Sequence, residues 1–331
     1  MKKRLGIFLA IFSIICVMGL NATVAHGESV NEVYLGGMPA GFRIDNKGAI
    51  IIGINDVITE DNIKSPSKDA DVKAGDILLS VDGVQINNSS DIENALADFE
   101  GDGVTIVLNR GGEIVIKIIK PAKDVSGKYR LGMFVRDEIT GIGTVTYIKK
   151  DLSFAALGHP VVDYNYQRPV DVNSGEVYRC SIIGVNKGER GKAGEIRGFF
   201  ASDKAVGTIE CNKNEGIFGK INDEEFVKNL SLIEVGKAKP GKASIYTTLD
   251  GCEPLSYGID IVKVDSKAPE NKNLVIKITD EKLISKTNGI LQGMSGSPIV
   301  QNNKIVGAVT HVFLNDPSRG FGILIGNMLD A

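Results

Sequence analysis

Gln292-Gly-Met-Ser-Gly-Ser-Pro-Ile-Val300 carries two glycines that bracket Ser295, then a proline that opens an apolar strand. A glycine two places before a serine lets the backbone turn, so that its N–H and the serine's own N–H point into one hole. The glycine after the serine leaves room for a substrate. In this register Ser295 is the candidate nucleophile, and the Gly293 and Ser295 amides are the candidate oxyanion donors. Ser297 takes a position that packs or hydrogen-bonds locally. A plain hairpin turn has the same composition, so the rest of the chain has to decide.

A serine hydroxyl attacks a carbonyl only with a base in hydrogen-bond reach. Histidine is the usual base, because its pKa lies near neutral pH. The chain has three histidines, and His26 ends an N-terminal apolar segment, which leaves His159 and His311. Phe154-Ala-Ala-Leu-Gly-His-Pro-Val-Val-Asp163 sets His159 in a restricted turn at the edge of a strand. A lone histidine is more often structural than catalytic, but Gly-His-Pro holds this ring exposed on a fixed backbone. His311 follows the strand-like run Ile305 to Thr310 and either shapes a pocket or caps that strand.

The length of 331 residues allows two or three domains, and 43% hydrophobic with 24% charged residues suits a globular chain. The net charge of −3 and the lack of a basic–aromatic pattern give no nucleic-acid footprint. Lys2, Lys3 and Arg4 precede an uncharged run, Leu5 to Leu20, and then small and polar residues, Asn21 to Gly27. This is the order of an export signal. Residues 1–27 therefore read as a signal peptide, with Thr23 and Ala25 at its cleavage site, or as an uncleaved membrane anchor. Residues 28–32 are a linker. Beyond Cys16, the chain holds Cys180, Cys211 and Cys252, without CxxC spacing. Neither a disulfide scaffold nor a zinc site is expected, and no cofactor is called for.

Residues 33–122 form one block. Gly48-Ala-Ile-Ile-Ile-Gly53 reads as a buried strand, and Ile77 to Val81 as another that ends in Asp82-Gly83. Ser90-Asp-Ile-Glu93 reads as a capping box, so a helix starts there, with Ile92, Leu96 and Phe99 on one face. Val104–Leu108 and Ile114–Ile118 flank Arg110-Gly-Gly112 as a hairpin. This order, and Ala70-Asp-Val-Lys-Ala-Gly-Asp-Ile-Leu-Leu-Ser-Val-Asp-Gly83 above all, resembles bacterial PDZ domains. Such a domain takes an extended peptide between a strand edge and a helix. The stretch Met38 to Ile44, with Gly41, Phe42 and Ile44, is the candidate carboxylate-binding strand, and Ile92 and Leu96 the candidate helix wall. Each of these residues has a plain core role as its alternative.

Residues 123–331 change character. Short β-branched runs recur: Gly143–Ile148, Tyr178–Val185, Ala205–Ile209, Ala243–Thr248, Tyr257–Val264, Leu274–Thr279, Ile299–Val300 and Ile305–His311. Turn residues separate them, which predicts an all-β sandwich or barrel pair. Short helices are expected at Asp223–Asn229, at Glu281–Ser285 and at the C-terminus. In the chymotrypsin class of peptidases the nucleophile lies in Gly-x-Ser-Gly-x-Pro, the pattern of Gly293 to Pro298. The expected fold is therefore mainly β, an α+β PDZ domain followed by a chymotrypsin-like double β-barrel.

Phe154-Ala-Ala-Leu-Gly-His159, Ile278-Thr-Asp280, Thr287 to Ile299 and Gly307 to Gly322 together resemble the stage IV sporulation protein B peptidase family, over nearly the whole chain. The resemblance implies a serine endopeptidase exported to the space between the two forespore membranes. There it cuts a membrane-associated regulator of the intramembrane metalloprotease that processes pro-sigma-K. Its PDZ domain takes a peptide C-terminus or the enzyme's own tail, and the N-terminal segment contacts the membrane. By motif matching, Ser295 is the nucleophile, His159 the base and Asp280 the orienting acid. An aspartate directly before Glu281–Ser285 is equally a helix N-cap. Asp163 and Asp260 are rival acids, and a Ser–His dyad is a further alternative. The rival to an enzyme is a non-catalytic PDZ-containing binding or signalling protein of the cell envelope.

Overall fold

A computed structural model describes residues 30–163 and 168–331, with only the backbone of Asp163 and Arg168, so the segment 1–27 lies outside the described residues. The chain enters through a barrel. Strand β1 (Glu32–Leu35) leads to a long strand β2 (Pro39–Ile54), whose first half carries Phe42 and Ile44 in a barrel core. The second half of β2 buries Ile51 in a different core, with Leu78 of β3 (Ile77–Val81). Helix α1 (Ser89–Leu96) and the hairpin β4 (Val104–Arg110) and β5 (Glu113–Ile119) complete that small module. The chain then returns along β6 (Met133–Ile148), which is antiparallel to β2 along most of its length. A register shift between Arg136 and Glu138 marks where β6 leaves the module and joins the barrel.

The first barrel continues through β7 (Ser153–Ala156), β8 (Val172–Asn186), β9 (Gly194–Lys213) and β10 (Gly216–Ile221). Its ring closes in the order β6–β2–β8–β9–β10–β7 and back to β6, with every pairing antiparallel. Strand β11 (Leu232–Val235) pairs with β1 and crosses to the second barrel. There β12 (Gly241–Thr247), β13 (Leu255–Val264) and β14 (Leu274–Ile278) precede helix α2 (Glu281–Thr287). The short β15 (Leu291–Gln292), β16 (Pro298–Gln301), β17 (Lys304–Val312) and β18 (Arg319–Leu324) follow, and α3 (Ile325–Leu329) ends the chain. This ring closes as β12–β13–β14–β18–β17–β16 and back to β12, again antiparallel throughout. Closure leaves these paired strands no free edge. The fold is thus mainly β, a PDZ domain with a chymotrypsin-like double β-barrel. Among the described residues no helix is long and apolar enough to cross a membrane.

Two sequence expectations shift. A division at residues 33–122 and 123–331 places the first strands in the PDZ block, yet Val33, Phe42 and Ile44 are buried outside the module core and β1 pairs with β6 and β11. The PDZ domain is inserted between two strands of the first barrel. One continuous strand gives no composition break at the crossing, which is why the sequence hides it. The helix cap also moves by two residues. Asn88 Oδ1 accepts from the Asp91 N–H at 2.9 Å, and Asp91 Oδ2 accepts from the Asn88 N–H at 3.2 Å. Asn88 and Asp91 therefore form the capping box in place of Ser90 and Glu93. The Ala74-Gly-Asp76 segment is pinned by Arg110, which donates from Nε and Nη2 to the buried Asp76 carboxylate at 2.8 and 2.7 Å.

Candidate active site

The two barrels meet along a cleft of about 1040 Å³, with Phe42, Leu157 and His159 on one wall and Gly293, Ser295 and His311 on the other. His159 follows β7 by a tight turn. Leu157 and Gly158 both take left-handed φ values, 69° and 73°. For a leucine this conformation is strained, and strain of this kind is held only where the surroundings over-determine it. Here Gly158 lies against the second barrel, since a Cβ on it would meet Thr310 Cγ2 at 2.9 Å.

Ser295 sits in the loop between β15 and β16. The side chain of Met294 is buried in the second core, and its amide and carbonyl are held by the Leu291 carbonyl at 3.1 Å and the Ser297 N–H at 2.9 Å. Gly293 has φ +95° on one side of it. Among the described residues, neither the Gly293 nor the Ser295 N–H donates to another group of the chain, whereas Met294, Gly296 and Ser297 all do. The first barrel clamps this loop. Thr144 N–H donates to the Ser295 carbonyl at 3.2 Å, Thr144 Oγ1 to the Gly293 carbonyl at 2.8 Å, and Thr146 Oγ1 to the Gly296 carbonyl at 2.8 Å.

The Ser295 hydroxyl donates to the Thr310 carbonyl at 2.8 Å. The half-buried His159 bonds through Nδ1 to the Pro160 carbonyl at 2.9 Å. A carbonyl only accepts, so Nδ1 carries the proton and Nε2 is left with its lone pair. The His311 ring lies beside it, with centroids 5.1 Å apart and a tilt of 38°. Burial pushes the His159 pKa below its ordinary value, against the pull of the Pro160 carbonyl. Burial, then the neighbouring His159 and Lys272, push His311 down to about 4. Both imidazoles are therefore neutral at pH 7.

The family model SpoIVB peptidase S55 matches residues 127–329, and the PDZ domain model matches residues 36–116. The chain belongs to the SpoIVB peptidase S55 family. Its S55 peptidase domain is accompanied by a PDZ domain. A Clostridium perfringens (strain 13 / Type A) protein named as a candidate zinc metalloprotease is 28% identical over 120 residues, 36% of this chain. The chain spans about a third of that relative, 32% of its length. The solved structure of the Rv3671c protease in its inactive form is similar at 15% identity and a TM-score of 0.34, over 57% of this chain and 81% of that one.

In the S55 peptidase the expected acids lie as follows. Asp280 caps α2, accepting from the Leu283 N–H at 3.0 Å and the Gly258 N–H at 3.4 Å. Asp260 lies between Ile259 and Ile261, both in the second core, and stands opposite Lys242 and Lys277 in the ladder. The Asp163 backbone pairs with Arg168, and its side chain lies outside the described residues. Among the described residues, the partner of His159 Nδ1 is the Pro160 carbonyl and not a carboxylate. Ser297 is buried and packs as expected, but its hydroxyl has no partner among the described residues.

The PDZ wall is corrected in part. Ile92 and Leu96 line a second cleft of about 470 Å³, facing Leu131, Gly132, Met133 and Val135. Phe42 and Ile44 instead line the large cleft, and Gly41 pairs with Ile142 and Tyr178 in the first barrel. The strand beside α1 is the start of β6. Its signal was the Leu131-Gly132 pair just before a strand, where Gly132 takes φ +74° and a Cβ would meet the Asn55 carbonyl at 2.6 Å. Thr144 and Thr146 were also missed. Two threonines spaced by one residue on a strand share a face, but this reads as ordinary β-propensity.

Proposed function

We propose that Ser295 is the nucleophile, His159 Nε2 its general base, and the Gly293 and Ser295 amides the oxyanion donors of this peptidase. The convergence of a serine turn from one barrel and a histidine turn from the other, beside two amides without an acceptor, carries this reading. Ser295 Oγ attacks the scissile carbonyl and gives its proton to Nε2. The amides take the charge that develops on the carbonyl oxygen. Nδ1 is steadied by the Pro160 carbonyl, so the pair needs no acid to fix its tautomer. The test is labelling with a fluorophosphonate and mapping of the modified residue. Attachment at Ser295 is expected, and attachment elsewhere or none at all sinks the assignment.

The biological reading rests on the family and on the export-type N-terminal sequence. The enzyme acts outside the forespore cytoplasm, in the space between the forespore membranes, with the segment 1–27 as signal or anchor. Its substrate is a membrane-associated regulator of an intramembrane metalloprotease. A peptide terminus enters the cleft between α1 and Leu131–Val135. Residues around Met328 are held in the fold, since Tyr147 Oη donates to the Met328 carbonyl at 2.9 Å and Met328 is buried. The ligand of the PDZ cleft is a peptide C-terminus or the enzyme's own tail.

Two predictions arise here. The base must be neutral to act, and its pKa is lowered. The acid limb of the kcat/KM profile should then have its midpoint below the ordinary histidine value of about 6.5. A limb at or above that value refutes the assignment of this ring. Separately, Asp280→Ala should cost about 1 kcal/mol of stability through the lost cap. Asp280→Asn, which keeps an acceptor, should cost less, and denaturant titration of both variants decides.

A further inference from the structure

The observation is one residue bonded to both halves of the site. Thr144 of β6 donates its N–H to the carbonyl of Ser295, and its own carbonyl accepts from Leu157 N–H at 3.3 Å, within the turn that carries His159. Its hydroxyl donates to the Gly293 carbonyl at 2.8 Å. A Cβ on Gly296 would sit 2.1 Å from the Thr144 carbonyl oxygen, so this contact has no slack. Thr144 is buried, at 3% exposure.

We infer that Thr144 is a positioning residue for the oxyanion site, acting through its hydroxyl on Gly293. The two candidate oxyanion amides are not equally constrained. The peptide that supplies the Ser295 N–H is fixed on its other side, because the Met294 carbonyl accepts from Ser297 N–H. Gly293 is a glycine at φ +95°, free to rotate as no other residue is. The Thr144 hydroxyl holds its carbonyl and, together with the Met294 N–H of the same peptide bonded to the Leu291 carbonyl, limits that rotation. Without it, the half-buried Gly293 carbonyl loses this donor and the Gly293 N–H loses its aim.

This inference rests on the assignment of Ser295 and the two amides above. The test measures the rate of phosphonylation of the full chain by a fluorophosphonate, resolved into maximal rate and half-saturating concentration. Thr144→Val should lower the maximal rate by about tenfold to a hundredfold, less than outright removal of an oxyanion donor. The half-saturating concentration should stay within about twofold, and Thr144→Ser should restore most of the rate. A Val variant that reacts at the wild-type rate overturns the inference, and so does one whose loss lies wholly in the half-saturating concentration. If Thr144→Val does not fold, Thr144→Ala against Thr144→Ser is the comparison, and equal rates for those two overturn it. Wild-type chain that is not labelled at Ser295 would instead sink the nucleophile assignment itself.

Discussion

Replacing Ser295 with alanine should lower proteolysis by at least about 10⁴-fold while leaving the fold intact. The hydroxyl makes one hydrogen bond, to the Thr310 carbonyl, so its removal costs about 1 kcal/mol of stability. That is small for a protein of this size. His159→Ala should lose as much activity, because attack and proton removal are one event. The double variant should then be no worse than either single variant. Additive losses would mean that serine and histidine act in separate steps. Residual cleavage by Ser295→Ala at the wild-type rate would place the nucleophile elsewhere.

Gly296→Ala should disable the enzyme by a different route. Gly296 has φ +91°, and an added methyl would lie 2.1 Å from the Thr144 carbonyl oxygen and 2.5 Å from the Leu157 amide. Both obstacles are backbone, so neither can swing aside. The loop has to lift off the first barrel, which breaks the Thr144 and Thr146 bonds and parts the serine turn from the histidine turn. A cost of more than about 3 kcal/mol is expected from strain and clash together. Thermal unfolding should fall by about 6–12 °C for a domain of this size, with activity lost even where the chain still folds. A Gly296→Ala chain with the wild-type melting temperature and full activity would contradict the packing described.

The barrels were legible where short β-branched runs are bounded by turn residues. Tyr257–Val264 and Ile305–His311 put residues such as Ile259 and Val309 into one core, and they fall within β13 and β17. The turn that carries Ser295 was legible because glycine at a positive φ and proline before a strand are punctuation with a fixed meaning. The start of β6 was not legible, since Phe134 is exposed and the run Arg136-Asp-Glu138 reads as loop. The partner of that half-strand is Ile50 to Ile54, far away in sequence, and no local pattern announces such a pairing. The same holds for Gly41, Phe42 and Ile44. A plain core role was their alternative reading, and which core receives them depends on a strand that serves two cores. Asp280 shows the converse limit, since a motif match and a helix cap predict the same residue for different work.

The insertion of the PDZ domain between β2 and β6 makes its attachment a double one. A module on a single flexible linker samples a volume, and its benefit to a tethered substrate follows an effective concentration set by linker length. This module is joined by two paired strands that run unbroken into the catalytic barrel. On the proposed function it would work as a ruler rather than a leash. A peptide seated along Leu131–Val135 would present the rest of its chain to Ser295 from one direction and one distance. Substrates would be selected by the number of residues between the anchored end and the cut bond, a property of spacing and not of the sequence at either place.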